Sequence, residues 1–211
     1  MEFVNAAALG CRFVTAFRGV ATQARLRAGE WVAVYGCGGV GLSAVMIARA
    51  LGANVIGVDV SDEKLALARE AGAIRAFNAD TVPDVPEAIR ELTAGGVHVS
   101  VDAFGGAVTC RNSILSLRRR GRHVQIGLLL GDQAEPPLPM GKVIAHELEI
   151  FGSHGIQAHA YPEILDMIAA GKLPIEKLIG RRIALDDACA ALASFDSFSG
   201  KGITVIDRFA A

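Results

Sequence analysis

A chain of 211 residues is long enough for one large domain, or for one domain with an appendage. Its apolar content of 52% and mean hydropathy of +0.39 exceed the usual soluble average, yet no uninterrupted apolar run reaches the ~20 residues that a membrane span requires. Lys and Arg number 21 against 22 Asp and Glu, a formal charge of −1 that argues against a general nucleic-acid or membrane-surface role.

The apolar surplus therefore belongs to a buried sheet, an interface, or a face lacking its partner. Cys11, Cys37, Cys110 and Cys189 lie far apart with no C-x-x-C pair. That spacing suits neither a disulfide framework nor a self-contained zinc knuckle. The opening MEFVNAAALG has no basic start and is not expected to be a secretory signal. A reduced, cytoplasmic setting is the expectation.

In chain order, residues 31–35 (WVAVY) read as a fully buried strand and 40–51 as the helix after it. Residues 54–60 (NVIGVDV) form a second strand, followed by a helix over 62–71 that opens on Ser61 as N-cap with acids in its first turn. A weak strand at 76–78 precedes a helix at 86–93. Strands at 97–104 (VHVSVDAF) and 122–128 (RHVQIGL) bracket a helix at 109–119, whose C-terminal end is expected to carry the solvated cluster Arg118, Arg119, Arg120 and Arg122. A helix at 142–147 leads into a strand at 148–152. Beyond Gly152 the rhythm changes to a helix at 161–170, a strand at 182–185, a helix opening on Asp186 and a last strand at 203–206.

Strands apolar on both faces, alternating with helices, imply a parallel sheet covered on both sides. The fold expected is α/β, a doubly wound parallel six-stranded Rossmann sheet with a C-terminal α/β tail.

The strongest local motif is Gly36-Cys37-Gly38-Gly39-Val40-Gly41, placed between a strand and a helix. Gly36 suits a tight turn, Gly38 a close approach of backbone to a pyrophosphate, and Gly41 close packing of helix on strand. The pyrophosphate then meets unpaired amides and the positive end of the helix dipole. Asp59 closes the second strand 23 positions after Gly36, where a carboxylate can accept from both ribose hydroxyls and repel a 2′-phosphate. With Val60 and Ser61 following, no Arg is at hand for that phosphate, and NAD should be preferred to NADP.

Adenosylmethionine-dependent methyltransferases share a Gly-rich loop and an acid after the second strand, but usually lack the third glycine. A short-chain dehydrogenase needs Tyr-x-x-x-Lys, and neither Tyr35 nor Tyr161 has Lys four residues on. His146-Glu147 lacks a second His at position 150, so a zinc-protease helix is not supported.

The segment AAALGCRFVTAFRG, together with GEWVAVYGCGGVGLSAVMIARALGANVIGVDVSDEKLALAREAGA, resembles the zinc-containing alcohol dehydrogenases of the medium-chain family. VDAFGG, RRRGRHVQIGLL and ELEIFGSHG resemble the later strands of that family's coenzyme domain. The resemblance implies reversible hydride transfer between an alcohol, or its aldehyde, and NAD.

The resemblance also implies roles for particular residues. Cys11 matches the family's third protein ligand of the catalytic zinc. Thr15 matches the residue beside the nicotinamide ring, where catalysis occurs, and Val40 the side chain behind that ring. Lys64 would reach the adenosine ribose. Backbone at Ala103, Phe104 and Gly105, and at Ile126, Gly127 and Leu128, would line the two riboses. Lys201 stands near a family Arg that touches the pyrophosphate. The remaining cysteines read as filler (Cys37) or helix residues (Cys110, Cys189), and His146, His154 and His159 as non-ligands.

Family members carry, ahead of the part matched here, a GroES-like domain with the other zinc ligands and much of the substrate pocket. Residues 1–20 are therefore expected to be a junction remnant, 21–152 the NAD-binding domain, and 153–211 a tail that packs on the catalytic domain. These 211 residues alone are expected to bind NAD with little or no turnover, zinc belonging to an intact enzyme whose other half was truncated or comes from another chain. A non-catalytic dinucleotide-binding module and a zinc-independent quinone reductase are the alternatives. A homo-oligomer is expected, because edge strands of such sheets commonly pair across a dimer.

Overall fold

The computed structural model describes residues 1–194 and 202–209. The chain begins with helix α1 (Phe3–Ala8), a wide π-type turn over Leu9–Phe13, helix α2 (Val14–Phe17) and a second wide turn over Arg18–Gln23. This helical run is broken at Gly10 (φ −53°, ψ 148°) and Cys11 (φ 38°, ψ −66°). Beyond the break, Phe13, Phe17 and Val20 turn inward and are fully buried.

The central unit alternates strand and helix: β1 (Trp31–Tyr35), α3 (Gly39–Ala50), β2 (Asn54–Asp59), α4 (Asp62–Ala71), β3 (Arg75–Asn78), α5 (Val85–Leu92), β4 (Val97–Asp102), α6 (Ala107–Leu115), β5 (Leu117–Gln125), α7 (Met140–His146) and β6 (Glu149–Gly152). Its six strands form one parallel sheet in the order β3-β2-β1-β4-β5-β6. This is the doubly wound plan expected from the sequence, with the change of direction between β1 and β4.

Alternation along β1 feeds two cores. Val32 and Val34 join the one shared with α3 and the N-terminal helices, Ala33 and Tyr35 the one shared with Val85, Ile89 and Leu117. Fully burying one such aliphatic side chain contributes about 1.5–3 kcal/mol, so both faces of the strand favour this register.

The local signals read from sequence operate as stereochemistry. Ser61 Oγ accepts from the Lys64 N–H at 3.4 Å, with Asp62 and Glu63 in the first turn of α4. Helix α3 is buried all along Gly41–Ala48, because α2 and the tail cover the side turned away from the sheet. In the tail, α8 (Tyr161–Ala169), β7 (Ile179–Ala184), α9 (Ala188–Ala193) and β8 (Ile203–Arg208) follow, with β7 and β8 paired in parallel as a separate two-stranded sheet. Ile164, Leu173, Ile175 and Leu178 bury themselves in the same core as Phe13 and Phe17.

The helix expected over 109–119 ends at Leu115, and Leu117 opens β5 instead. The reason is burial: Leu117 is completely enclosed and pairs with Val97, which continued helix would prevent. Register then jumps to Val99↔Arg122, so Arg118–Gly121 bulge out opposite the single residue His98. The arginine cluster thus decorates a strand bulge and not a helix C-terminus. The carbonyl of Leu115 is met instead by Arg90 Nη1 at 2.7 Å and Lys142 Nζ at 2.6 Å. Two expected strands are shorter at their ends, since β4 stops at Asp102 and β5 at Gln125, leaving residues 103–105 and 126–128 as loops. In the tail, the strand begins earlier, at Ile179, and α9 follows a single 3-10 turn over Leu185–Asp187.

Among the described residues, no helix is long and apolar enough to cross a membrane.

Candidate functional site

The carboxyl ends of β1, β2 and β4 meet where the strand order reverses. Gly36 leaves β1 with φ +87°, a left-handed turn that glycine takes without strain, and donates its N–H to Val58 O at 2.8 Å. Five residues on, in the first turn of α3, Gly41 faces Gly36 so closely that a Cβ would lie 1.7 Å from the Gly36 carbonyl oxygen. Gly38 differs: a Cβ there would meet nothing within 4 Å. Its openness faces the start of α3, whose N-cap position (Gly38) supplies no side-chain hydrogen bond. Together these features leave a cradle for a small anion with positive helix potential behind it.

Asp59 ties the end of β2 to this turn. Its Oδ2 accepts from the Cys37 N–H at 2.7 Å and its Oδ1 from the Ser61 N–H at 3.0 Å. Two backbone donors use one lone pair on each oxygen and leave the others free for hydroxyls. Asp59, Lys64, Gly36 and Phe104 line a common cavity of about 460 Å³ that extends to Pro83, Val108 and Arg111. Val60 (56% exposed) and Phe104 (69% exposed) offer apolar surface in its walls, fit for a planar ring.

A second polar assembly, which the sequence reading did not identify, holds the loops after β4 and β5. The fully buried Asp102 accepts at Oδ1 from Phe104 N–H (2.9 Å) and Gly105 N–H (3.0 Å), and at Oδ2 from Thr109 Oγ1 (3.1 Å) and Gln125 Nε2 (3.0 Å). Gln125 Nε2 also donates to Gly127 O at 2.8 Å. His123 Nε2 lies 3.2 Å from Gln125 Oε1, and its Nδ1 3.2 and 3.1 Å from the hydroxyls of Ser100 and Ser113. Burial pushes the His123 imidazole down to about 4, so it is neutral at physiological pH. A neutral ring that accepts at Nδ1 from a serine hydroxyl donates at Nε2 to Gln125, and the chain of bonds closes without a stranded proton.

The result is a rigid pair of loops. Gly105 and Gly127 cross so closely that a Cβ on either would meet backbone of the other loop at 2.4 Å or less. Ala103, Phe104 and Gly105 are thereby fixed against Gly127 and Leu128, and Ile126 is buried with its Cδ1 against Gly19. The sequence offered one clue: Ser100/Asp102 and His123/Gln125 place polar groups two residues apart on otherwise apolar strands.

The remaining anticipated residues lie around this centre. Thr15 is 9% exposed in α2, which packs against α3. Val40 is the second residue of α3 and half-buried; Gly39, the first, is covered by Arg12. Lys201 lies outside the described residues. Cys11 is exposed in the break before α2, and Cys189 is exposed in α9, whereas Cys37 and Cys110 are buried. No group of three or more His, Cys, Asp or Glu among the described residues could hold a metal ion. Cys11 by itself does not make a zinc site.

Comparison with known proteins agrees with this geometry. A family model described as zinc-binding dehydrogenase matches residues 39–170. An alcohol dehydrogenase of Geobacillus stearothermophilus is 35% identical over 173 residues, 82% of this chain and 50% of that protein. An NAD-dependent alcohol dehydrogenase of Sulfurisphaera tokodaii is 31% identical over 210 residues, 98% of this chain and 58% of that protein. The chain thus spans about half the length of the curated relatives it matches. Among solved structures, an alcohol dehydrogenase zinc-binding domain protein of Burkholderia ambifaria superimposes with a TM-score of 0.85 at 30% identity, over 95% of this chain and 55% of that one. With its matched residues, sheet order and glycine turn in agreement, the chain belongs to the zinc-binding dehydrogenase family.

Proposed function

We propose that this chain is the NAD-binding part of an alcohol dehydrogenase, and that the longer protein transfers hydride reversibly between an alcohol and NAD. The observation that carries the reading is the single cavity into which the glycine turn, Asp59 and the Asp102-held loop all open. The pyrophosphate lies over Gly38, whose open space adjoins the start of α3. The adenosine ribose hydroxyls donate to Asp59, with Lys64 alongside, and the adenine slots between the apolar walls at Val60 and Phe104. A 2′-phosphate on NADP would meet the Asp59 carboxylate at close range, a like-charge contact that NAD avoids.

The nicotinamide half follows β4 and β5, with the 103–105 and 126–128 loops at its ribose, Val40 behind the ring and Thr15 beside it. When bound, NAD supplies the hydride acceptor. The chain's own contribution is to hold that ring in one orientation, through loops whose hydrogen bonds are satisfied before the cofactor arrives. Cys11 would join other ligands on a zinc ion in the longer protein. The protein is proposed to be cytoplasmic and to form homo-oligomers through an edge strand of the sheet.

A second reading is a dinucleotide-binding module without catalysis. The test is fluorescence of NADH titrated with the chain, followed by an assay of alcohol oxidation with zinc added. The first reading expects enhanced NADH emission with no turnover from these residues, and turnover once the remainder of a relative's length is joined to them. Emission without turnover in the joined protein would favour the binding module. Unchanged emission would contradict both.

A further inference from the structure

We propose that Arg12, seated on Gly39 at the start of α3, grips the cofactor's pyrophosphate there; this rests on the NAD-binding reading above. A Cβ on Gly39 would lie 2.7 Å from Arg12 Cδ and 3.0 Å from its Nη1, so the guanidinium rests on the first residue of α3. That places a full positive charge at the positive end of a twelve-residue helix, where the macrodipole already contributes roughly half a charge. The arrangement is repulsive unless an anion sits between. Arg12 is exposed, and among the described residues no carboxylate or carbonyl pairs with it.

The backbone supports the same interpretation. Cys11, with φ 38° in the left-handed half of the map, breaks the helix immediately before Arg12 and turns it away from α1. Next to Gly39, Gly38 leaves open space, and no acid stands in the first turn of α3 to satisfy either the helix or the arginine. A diphosphate brings two negative charges and enough oxygens to accept from the guanidinium and from the amides of α3 at once.

The assignment separates by ligand fragment. Calorimetric titrations with NAD, ADP-ribose and adenosine would be made on the unaltered chain, Arg12→Gln and Arg12→Lys, with thermal melting of each. Charge-assisted hydrogen bonds of this kind predict a loss of about tenfold to a hundredfold in affinity for NAD and ADP-ribose in Arg12→Gln. Adenosine affinity should stay within about twofold, and Arg12→Lys should recover part of the loss. Melting of Arg12→Gln should hold or rise slightly, because the free chain offers Arg12 no acceptor and the substitution relieves its repulsion with the start of α3. Equal ADP-ribose binding by the unaltered chain and Arg12→Gln would overturn the role of Arg12 alone. A parallel loss of adenosine binding would make Arg12 structural and overturn it too. Failure of the unaltered chain to bind either NAD or ADP-ribose would overturn this role together with the NAD-binding reading.

Discussion

Asp59 Oδ2 accepts a 2.7 Å hydrogen bond from the backbone N–H of Cys37, so the acid that ends β2 also braces the glycine turn that ends β1. Its other oxygen takes the Ser61 N–H at the start of α4. Asp59 is therefore a structural residue before any ligand arrives. Replacing it with Ala should lower stability by about 1–2 kcal/mol, less than two fully buried charged bonds would contribute because the carboxylate is partly solvated. Urea denaturation followed by circular dichroism reads this, and a variant as stable as the parent would contradict the bracing role.

The glycines of the turn should separate into two kinds. Gly41→Ala forces a Cβ to within 1.7 Å of the Gly36 carbonyl oxygen, and should cost roughly 3 kcal/mol of stability. Gly38→Ala meets nothing, and its extended backbone (φ −77°, ψ −164°) admits alanine, so melting should hold or rise slightly. NAD affinity should nevertheless fall by at least about tenfold in Gly38→Ala, since the methyl enters the space assigned to the pyrophosphate. Intact stability with intact affinity would place the anion elsewhere.

Thiol reactivity should divide the cysteines evenly. Burial pushes the Cys37 thiol up to about 12, with the Asp59 charge adding to it, and the Cys110 thiol up to about 11. Cys11 and Cys189 are exposed. Ellman's reagent at pH 7.5 should therefore titrate two thiols quickly in the native protein and four after unfolding. Rapid reaction of a third would show that the core around Cys37 or α6 opens readily.

Acid should weaken the fold through His123. Its buried imidazole titrates near 4 when folded and near the ordinary 6.5 when unfolded. The unfolded chain thus gains a proton first, and the stability contributed by the neutral ring is complete above pH 6.5 and lost as pH falls from there towards 4. Between pH 7.5 and pH 5 this one residue should remove about 2 kcal/mol. Urea midpoints at the two pH values, compared for the parent and His123→Gln, should show a smaller pH dependence in the variant. An equal pH dependence in both would assign the acid sensitivity elsewhere.

Features with a local chemical marker were legible in the sequence. The boundaries of β1 and α4 follow from an apolar strand before a glycine turn and from Ser61 with its acids, and both lie where those signals put them. Asp59 stands out in the sequence because its distance from Gly36 is set by one helix and one strand. The Asp102–Gln125–His123 assembly carries no such marker because its β4 member lies 21 or more residues from its β5 members, and they meet only through the register that sets Ser100 beside His123 and Asp102 beside Gln125. The start of the bulge, Arg118 and Arg119, falls inside the helix expected over 109–119 for a related reason. Three arginines suit a helix end, and only the pairing of Leu117 with Val97 shows that the chain is already in the sheet. Arg12 carried no motif at all; its place on Gly39 depends on the break at Cys11.

The central claim is tested most directly by calorimetric titration of the chain with NAD, NADP and adenosylmethionine, beside the Asp59→Ala variant. NAD should bind more tightly than NADP, and the preference should vanish in Asp59→Ala, because in the proposed site the carboxylate that would accept the ribose hydroxyls would also repel the 2′-phosphate. Equal binding of NAD and NADP by the unaltered chain, no binding of either, or binding of adenosylmethionine in their place would contradict it.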